Sequence, residues 1–416
     1  MKFGKRQYFS LLIIGLLFFG TSSSAWAANK SFIKQVKEEY QNFETKTAAN
    51  YSNYQKTETK KYEDYNQKES KSFELFADQT KTDASNLEAL LKSDLESLEK
   101  RFGSNEYASK LRDYKNKINP YFAGSPMHQY SVSINPNYAL SLMMQYKNTI
   151  NQHYAGSPMM QYRTAVNENY AGSPMMKYKN MVNPHYAGSS MSKLKNESNE
   201  YYANSILYKY SKGVISQKEA SKQWKALLQK ESQAIQNTIN QSKESINQVE
   251  STTLNAILKQ KYNSVNEILK QREKTLAAIN ELRKQYFGES ISFESLIPNL
   301  GEVNVILNGE WLAFSQPPAI LNGTTLVPMR AIFEKLEAEV KWHPQTQSVT
   351  ANKQNILISL TIDKKTASIN GKEVALLFPP KLINGHTMVP LRFVSEAMGA
   401  EVKWDAKSET VTIQVP

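Results

Sequence analysis

Between about Asn105 and Ile215 a block of sixteen residues recurs with almost no drift, which leaves such a chain few ways to fold. Tyr154-Ala-Gly-Ser-Pro-Met-Met-Gln-Tyr162 is followed by Tyr170-Ala-Gly-Ser-Pro-Met-Met-Lys-Tyr178, and then by Tyr186-Ala-Gly-Ser-Ser-Met191. One column at this step holds Phe122, Tyr138, Tyr154, Tyr170, Tyr186 and Tyr202. A second holds Tyr114, Tyr130, Tyr146, Tyr162, Tyr178, Leu194 and Tyr210, and a third Ile118, Ile134, Ile150, Val166, Val182 and Val214, with Ser198 off-type. A unit this short cannot bury its own apolar side and must stack on its neighbours. Ser157 reads as a helix N-cap and Pro158 as the first helical residue. Met159, Tyr162 and Val166 then share a helix face, and Asn167 with the next Tyr-Ala-Gly supplies the turn. Each unit is therefore expected to be a short helix plus a turn, with Tyr and Met as stacking contacts. In the second unit Leu140 and Leu142 replace Gly and Pro, which leaves room for a longer helix.

The array is flanked by two stretches with an eleven-residue period. From Ser31 to Phe102 there is neither Gly nor Pro, and Phe32, Phe43, Tyr54, Tyr65, Phe76, Leu87 and Leu98 fall at steps of eleven. Tyr40, Tyr51, Tyr62, Phe73, Ala84 and Leu95 form a parallel row. From Gln217 to Phe287 the step recurs in Ile235, Ile246, Ile257, Ile268 and Ile279. Eleven residues make three helical turns, so both stretches predict long α-helices with a nearly straight apolar stripe. Ser216 and Glu219 form a capping box, and Gly103 and Gly288 follow basic last turns as stop signals. Arms of equal length around an insertion predict an antiparallel hairpin with the repeats at its tip. Pairing between chains, and hence self-association through the arms, is the rival arrangement. A stripe of this kind also suits a membrane surface, but Glu58 and Glu69 lie beside the apolar rows of the first arm.

Lys2, Lys5 and Arg6 precede an apolar run from Phe9 to Phe19 and an Ala-x-Ala exit at Ala25-Trp-Ala27, the layout of a secretory signal cleaved between Ala27 and Ala28. No later segment reaches spanning length. The chain has no cysteine, which fits export from a single-membrane, Gram-positive type of cell. The net charge is +12, and the excess falls on the array and the second arm. Such a field favours polyanions. Outside the cell these are wall and surface polymers rather than nucleic acid. Nine of thirteen Met residues lie in the array with His128, His153 and His185, so a Cu(I) site built of soft thioethers is an alternative reading.

After Gly288 tyrosine disappears, and strand-like alternation with Asn-Gly turns at 308–309, 322–323, 370–371 and 384–385 takes over. This segment is duplicated at an offset of 62. Pro317-Pro-Ala-Ile-Leu-Asn-Gly-Thr-Thr-Leu-Val-Pro-Met-Arg330 matches Pro379-Pro-Lys-Leu-Ile-Asn-Gly-His-Thr-Met-Val-Pro-Leu-Arg392, and Glu339-Val-Lys-Trp342 matches Glu401-Val-Lys-Trp404. Each copy reads as strand, turn, short strand, a helix opened by Pro328 or Pro390, then a hairpin. An antiparallel sheet wrapped on a helix follows. Met329, Ile332 and Leu336 line the helix face in one copy, and Leu391, Val394 and Met398 in the other.

The stretch from about 303 to 415 resembles the bacterial copper amine oxidase N-terminal-like, or stalk, domain family. The resemblance implies a non-catalytic accessory domain of exported proteins. The residues themselves agree, since no His-x-His pair exists and Asn50-Tyr51, Asn137-Tyr138 and Asn169-Tyr170 lack the following acid of a cofactor precursor. Gly-rich phosphate loops, nucleophile elbows, His-Glu-x-x-His and cysteine nucleophiles are missing too. No catalytic, cofactor or metal residue is assigned. Arg330, Trp342, Arg392 and Trp404 are the candidate ligand-binding residues, against a structural reading in which the Trp are buried and each Arg pairs with Glu334 or Glu396.

The sequence thus predicts a mainly α chain with a small duplicated α+β module at its C-terminal end. Its segments are a signal peptide at 1–27, arms at 28–103 and 216–288 around the array at 104–215, and a linker at 289–302. The module follows at 303–416, in copies 303–354 and 355–416. The functional expectation is an exported, wall-associated structural or adhesive protein that is not an enzyme.

Overall fold

A computed structural model describes residues 25–415 apart from 297, 299, 313, 315–317, 322, 384, 407 and 408; the side chains of 25–28 are also outside it. The signal-peptide residues Lys2 to Ser24 and the turns at Asn322 and Asn384 therefore lie outside the described residues. Ala27 and Ala28, the predicted cleavage junction, fall in the first turn of the first helix. The chain divides into two compact units: residues up to 65 with 160–253, and residues 66–159 with 254–416.

The fold is mainly helical, followed by small sheets. Helix α1 spans Ala25–Phe102 and α9 spans Gln217–Phe287; between them lie α2 (Ala108–Ile118), α3 (Pro126–Ser133), α4 (Leu142–Ile150), α5 (Pro158–Val166), α6 (Pro174–Val182), α7 (Ser190–Glu197) and α8 (Ile206–Ser211). Every sixteen-residue unit is a short helix plus a turn, made the same way. The side chain of Asn119, 135, 151, 167, 183 or 199 accepts from the N–H two residues on, closing an Asx turn at 2.8–2.9 Å. Six residues later a serine hydroxyl donates to the carbonyl of that same Asn, at 2.6–2.8 Å. Ser125, Ser141, Ser173, Ser189 and Ser205 also accept from the third helical N–H, so one buried hydroxyl closes the turn and caps the helix.

The long helices depart from the expected antiparallel hairpin: within each unit they run parallel. In the second unit Arg272 grips Asp83 with two bonds of 2.8 Å, and eleven residues further along both helices Arg283 grips Asp94 at 2.9 Å. In the first, Trp224 donates to Glu39 at 2.8 Å, while Lys243 lies 4.7 Å from the Tyr54 ring. The aromatic start of α1 therefore meets the start of α9, in a core of Phe32, Val36, Tyr40, Trp224 and Ile235. Equal arm lengths are satisfied by parallel helices because the array itself carries the chain back between them.

It does so in a fixed register. In the second unit Tyr114 donates to Asp94 at 2.7 Å and Tyr130 to Asp83 at 2.8 Å, and Tyr146 meets the Phe73 ring edge-on at 5.3 Å. In the first, Tyr162 meets Tyr62 at 5.4 Å, Tyr178 meets Tyr51 at 5.1 Å, and Tyr210 meets Phe32 at 4.9 Å. Within each unit a sixteen-residue step forward in the array is a step of ten or eleven residues backward along α1, except that the two steps from Tyr178 to Tyr210 together cover nineteen. Eleven helical residues rise about 16.5 Å, and that is the pitch each helix-plus-turn must match.

Recurring layers of buried polar groups lock this register. Tyr114–Asp94–Arg283 and Tyr130–Asp83–Arg272 each join array, α1 and α9. Next along, Lys261 is fully buried between Glu69, at 3.5 Å, and Glu302. Burial pushes the Glu69 carboxyl up, whereas Lys261 and Lys68 outweigh burial at Glu302 and hold it down. Burial raises the Tyr146 and Tyr262 phenols well above their usual range.

Two sequence expectations change. Leu142 does not lengthen its helix, because Leu140 takes the glycine position of the turn at φ +65° with an exposed side chain. A left-handed non-glycine residue costs about 1–2 kcal/mol. Leu140→Gly is accordingly predicted to stabilise the protein by about 1 kcal/mol in urea unfolding. Gly103 is needed for space rather than for conformation: a Cβ there would lie 2.6 Å from the Glu99 carbonyl oxygen, while Gly288 takes the left-handed φ of +78°.

The segment read as a linker is tied down along its path. Glu289 pairs with Arg101, Ile291 N–H donates to Asn280 at 2.8 Å, the Glu294 carbonyl accepts from Arg272 at 2.7 Å, and Glu302 meets Lys68 at 2.5 Å. It leads into β1 (Asn304–Leu307), β2 (Glu310–Trp311), β3 (Ala319–Leu321), β4 (Thr324–Pro328), α10 (Met329–Lys335), β5 (Glu339–His343), β6 (Ser348–Lys353), β7 (Ile356–Thr361), β8 (Thr366–Ile369), β9 (Lys372–Ala375), β10 (Lys381–Ile383), β11 (His386–Pro390), α11 (Leu391–Ala397), β12 (Glu401–Asp405) and β13 (Thr410–Gln414). These form three sheets, ordered β12-β13-β1-β2, β10-β11-β4-β3 and β5-β6-β7-β8-β9. The copies meet in the second sheet, where Val327 faces Val389, Pro328 faces Met388 and Leu326 faces Pro390, a pseudo-twofold pairing. One pair departs from the antiparallel expectation: β1 lies parallel to β13, joining the first strand of the module to its last. The two predicted helix faces are buried, and Asn308-Gly309 and Asn370-Gly371 turn with both φ positive.

Candidate binding surface

The array buries one aromatic column and exposes the other. Tyr114, Tyr130, Tyr146, Tyr162 and Tyr178 are at most 1% exposed, and so are Met127, Met143, Met159, Met175 and Met191. The expectation that all the repeat tyrosines are stacking contacts therefore holds for the second column only. Phe122, Tyr138 and Tyr154 in one unit, and Tyr170, Tyr186 and Tyr202 in the other, are each 48–51% exposed on successive turns. The near-identity of these values follows from the repeat: each ring leaves the same Asx turn at the same angle.

A cation stands beside several of these rings. Lys147 Nζ donates to the Asn137 side chain at 3.1 Å, and Lys179 to Asn169 at 3.0 Å. Lys195 Nζ lies 3.1 Å from His185 Nδ1, in the same arrangement. In every case the partner immediately precedes the exposed tyrosine, and the lysine comes ten residues after it. The same ten-residue spacing recurs in sequence at His153 and Arg163. No acidic residue occurs between Asp113 and Glu168 or between Glu168 and Glu197. Glu168 itself is engaged by Tyr51 and Lys179. The exposed face of the array is thus aromatic and basic together.

The C-terminal candidates are dispersed. Arg330 and Arg392 lie in the first turns of α10 and α11, exposed, 3.8 Å from Glu334 and 4.0 Å from Glu396. Trp342 on β5 is half-buried against the module core. Trp404 on β12 is 42% exposed rather than buried as its structural reading requires; β5 and β12 are each the edge strand of a different sheet. Burial, and then the Arg330 guanidinium of the other copy, lowers the pKa of His386. Among the described residues no group of three His, Asp or Glu is placed to hold a metal ion, and no helix is long and apolar enough to cross a membrane.

The buried thioethers Met127, Met143, Met159, Met175 and Met191 fill the core, one per unit. The apolar rows of α1 are likewise covered, with Phe76, Leu87, Leu91 and Leu98 at most 5% exposed. That argues against a membrane-surface stripe. The exposed column was present in the sequence as the Phe122-to-Tyr202 series. What separates it from the buried column is position: it falls after the Asx asparagine, in the turn, whereas the buried Tyr falls at the fifth residue of the helix.

A protein of Brevibacillus choshinensis named "Protease inhibitor" is 31% identical over 115 residues, which is 27% of this chain and 34% of that protein. The chain thus spans about a third of the length of the curated relative it matches. The duplicated strands and helices from 306 to 413 match the copper amine oxidase N-terminal domain family, the non-catalytic stalk part of those enzymes.

Proposed function

We propose that this is an exported, cell-envelope-associated protein of structural or adhesive type, not an enzyme, in which the stalk-type module attaches to the wall and the long helices present the repeat array. The observation that carries this reading is the sorting of the repeats. Each unit holds itself in the core with a tyrosine, or with Leu194 in one case, and turns another aromatic outward, beside a basic residue in four of the six turns. The second ring gives the fold only half of its surface and leaves the other half open to a partner. The excess of cations on the array favours an anionic partner, and the predicted signal directs the chain to where anionic wall polymers are found.

The test is fractionation of the native cell, with sedimentation of the purified protein on isolated walls. The protein is expected in the wall fraction, released by high salt because the attraction is screened. Recovery with the membrane or in the medium alone would overturn the reading.

A further inference from the structure

We propose that the exposed turns at Tyr138, Tyr154, Tyr170 and Tyr186, the four with a basic residue at the same spacing, are subsites for a repeating anionic glycopolymer, each ring taking the C–H face of a sugar and the neighbouring cation a phosphate or carboxylate. This rests on the envelope reading above, and adds to it a ligand class and the residues that hold it.

Three observations carry it. The rings of Phe122, Tyr138 and Tyr154, and of Tyr170, Tyr186 and Tyr202, are alike in exposure, so each rung offers the same half-ring to a ligand. Lys147 and Lys195 are tied to the residue preceding a ring at 3.1 Å, and Lys179 to Asn169 at 3.0 Å while also paired with Glu168 at 3.1 Å, so little rotamer freedom remains to be lost when an anion binds, most directly at Lys147 and Lys195. The spacing is set by the long helices, at eleven residues or about 16.5 Å per rung. A mono- or disaccharide covers one rung; a polymer covers several, and linked rungs raise affinity without new contacts. Bare polyanion attraction needs the lysines but not the rings. A neutral glycan needs the rings but not the lysines. Their repetition together points to a polymer carrying both sugar and anion.

The experiment uses the full chain and three probes: purified glycosylated poly(glycerol phosphate), duplex DNA and neutral dextran. Two variants are compared with wild type, Tyr138→Ala/Tyr170→Ala/Tyr186→Ala and Lys147→Gln/Lys195→Gln. The triple ring variant is expected to lose at least about tenfold in affinity for the glycosylated polymer; half of each ring is buried, so it also loses stability, and affinities are compared where circular dichroism shows both proteins folded. The lysine variant is expected to bind more weakly and with a shallower salt dependence. Dextran is expected to bind feebly to all three proteins. Should the alanine variant lose cooperative unfolding, the Tyr→Leu version at the same positions, which keeps apolar bulk but no ring, carries the same expectation. A ring variant within twofold of wild type on the glycosylated polymer overturns the proposal, as does equal binding of DNA and polymer by wild type. In those cases wild-type sedimentation on whole walls still stands or falls by itself, so failure of the ladder is distinguishable from failure of the envelope reading.

Discussion

Arg272→Leu is expected to lower the stability of the protein by about 3–5 kcal/mol, one of the largest losses available to a single substitution here. Arg272 is 3% exposed and holds both oxygens of Asp83 at 2.8 Å, while its other donors reach Glu273 and the Glu294 carbonyl. Asp83 also accepts from Tyr130, so removing the cation leaves a mostly buried carboxylate facing only a phenol. The loss comes from that stranded charge rather than from the pair itself. A wholly apolar layer, Asp83→Leu/Arg272→Leu/Tyr130→Phe, is therefore expected to recover most of it, because the desolvation of both ions goes too. Urea unfolding followed by circular dichroism measures both. A triple variant as unstable as the single one would mean that the layer contributes attraction, not merely the avoidance of a stranded charge. The equivalent change at the next layer, Lys261→Met, strands Glu69, while Glu302 keeps Lys68, and is expected to fall toward the lower end of that range.

These layers also show where sequence reading stopped. The apolar rows were legible because they repeat: Ile235 to Ile279 at steps of eleven are all at most 2% exposed. The cations Lys261, Arg272 and Arg283 keep the same step, and so do Asp83 and Asp94, but charges on a helix usually lie in solvent and gave no sign of burial. Without that series nothing distinguished parallel from antiparallel arms, since apolar rows pair equally well in either direction. The turn chemistry was legible from Asn167 and Ser157, and the stalk-type module from its duplication. Within the module, the Arg330–Glu334 and Arg392–Glu396 pairs follow from four-residue spacing. The parallel β1–β13 pair joins residues more than a hundred positions apart and leaves no local pattern. The exposed tyrosine column was visible as a repeat, yet only the Asx turn decides which of two identical-looking columns faces water.

Deleting one repeat, residues 170–185, is expected to cost at least the about 3–5 kcal/mol of a single broken layer and to broaden the unfolding transition. Deleting it together with 51–61 of α1 and 236–246 of α9 is expected to leave a cooperative fold. The two periods require this difference. Sixteen array residues and eleven helix residues cover the same rise, so removing one unit alone displaces every later contact of the array by a whole step against α1. Tyr162 would still meet Tyr62, but Leu194 would arrive opposite the residues that received Tyr178. The compensated deletion keeps Phe43 eleven residues before Tyr65 and Ile235 eleven before Ile257, and it returns Leu194 to its own level. The unfolding slope in urea should fall in proportion to the surface removed, with the midpoint nearly retained. Equal destabilisation of the two deletion variants would mean that the eleven-to-sixteen match does not hold the array in place; a stable single deletion would mean that the array slides freely along the helices.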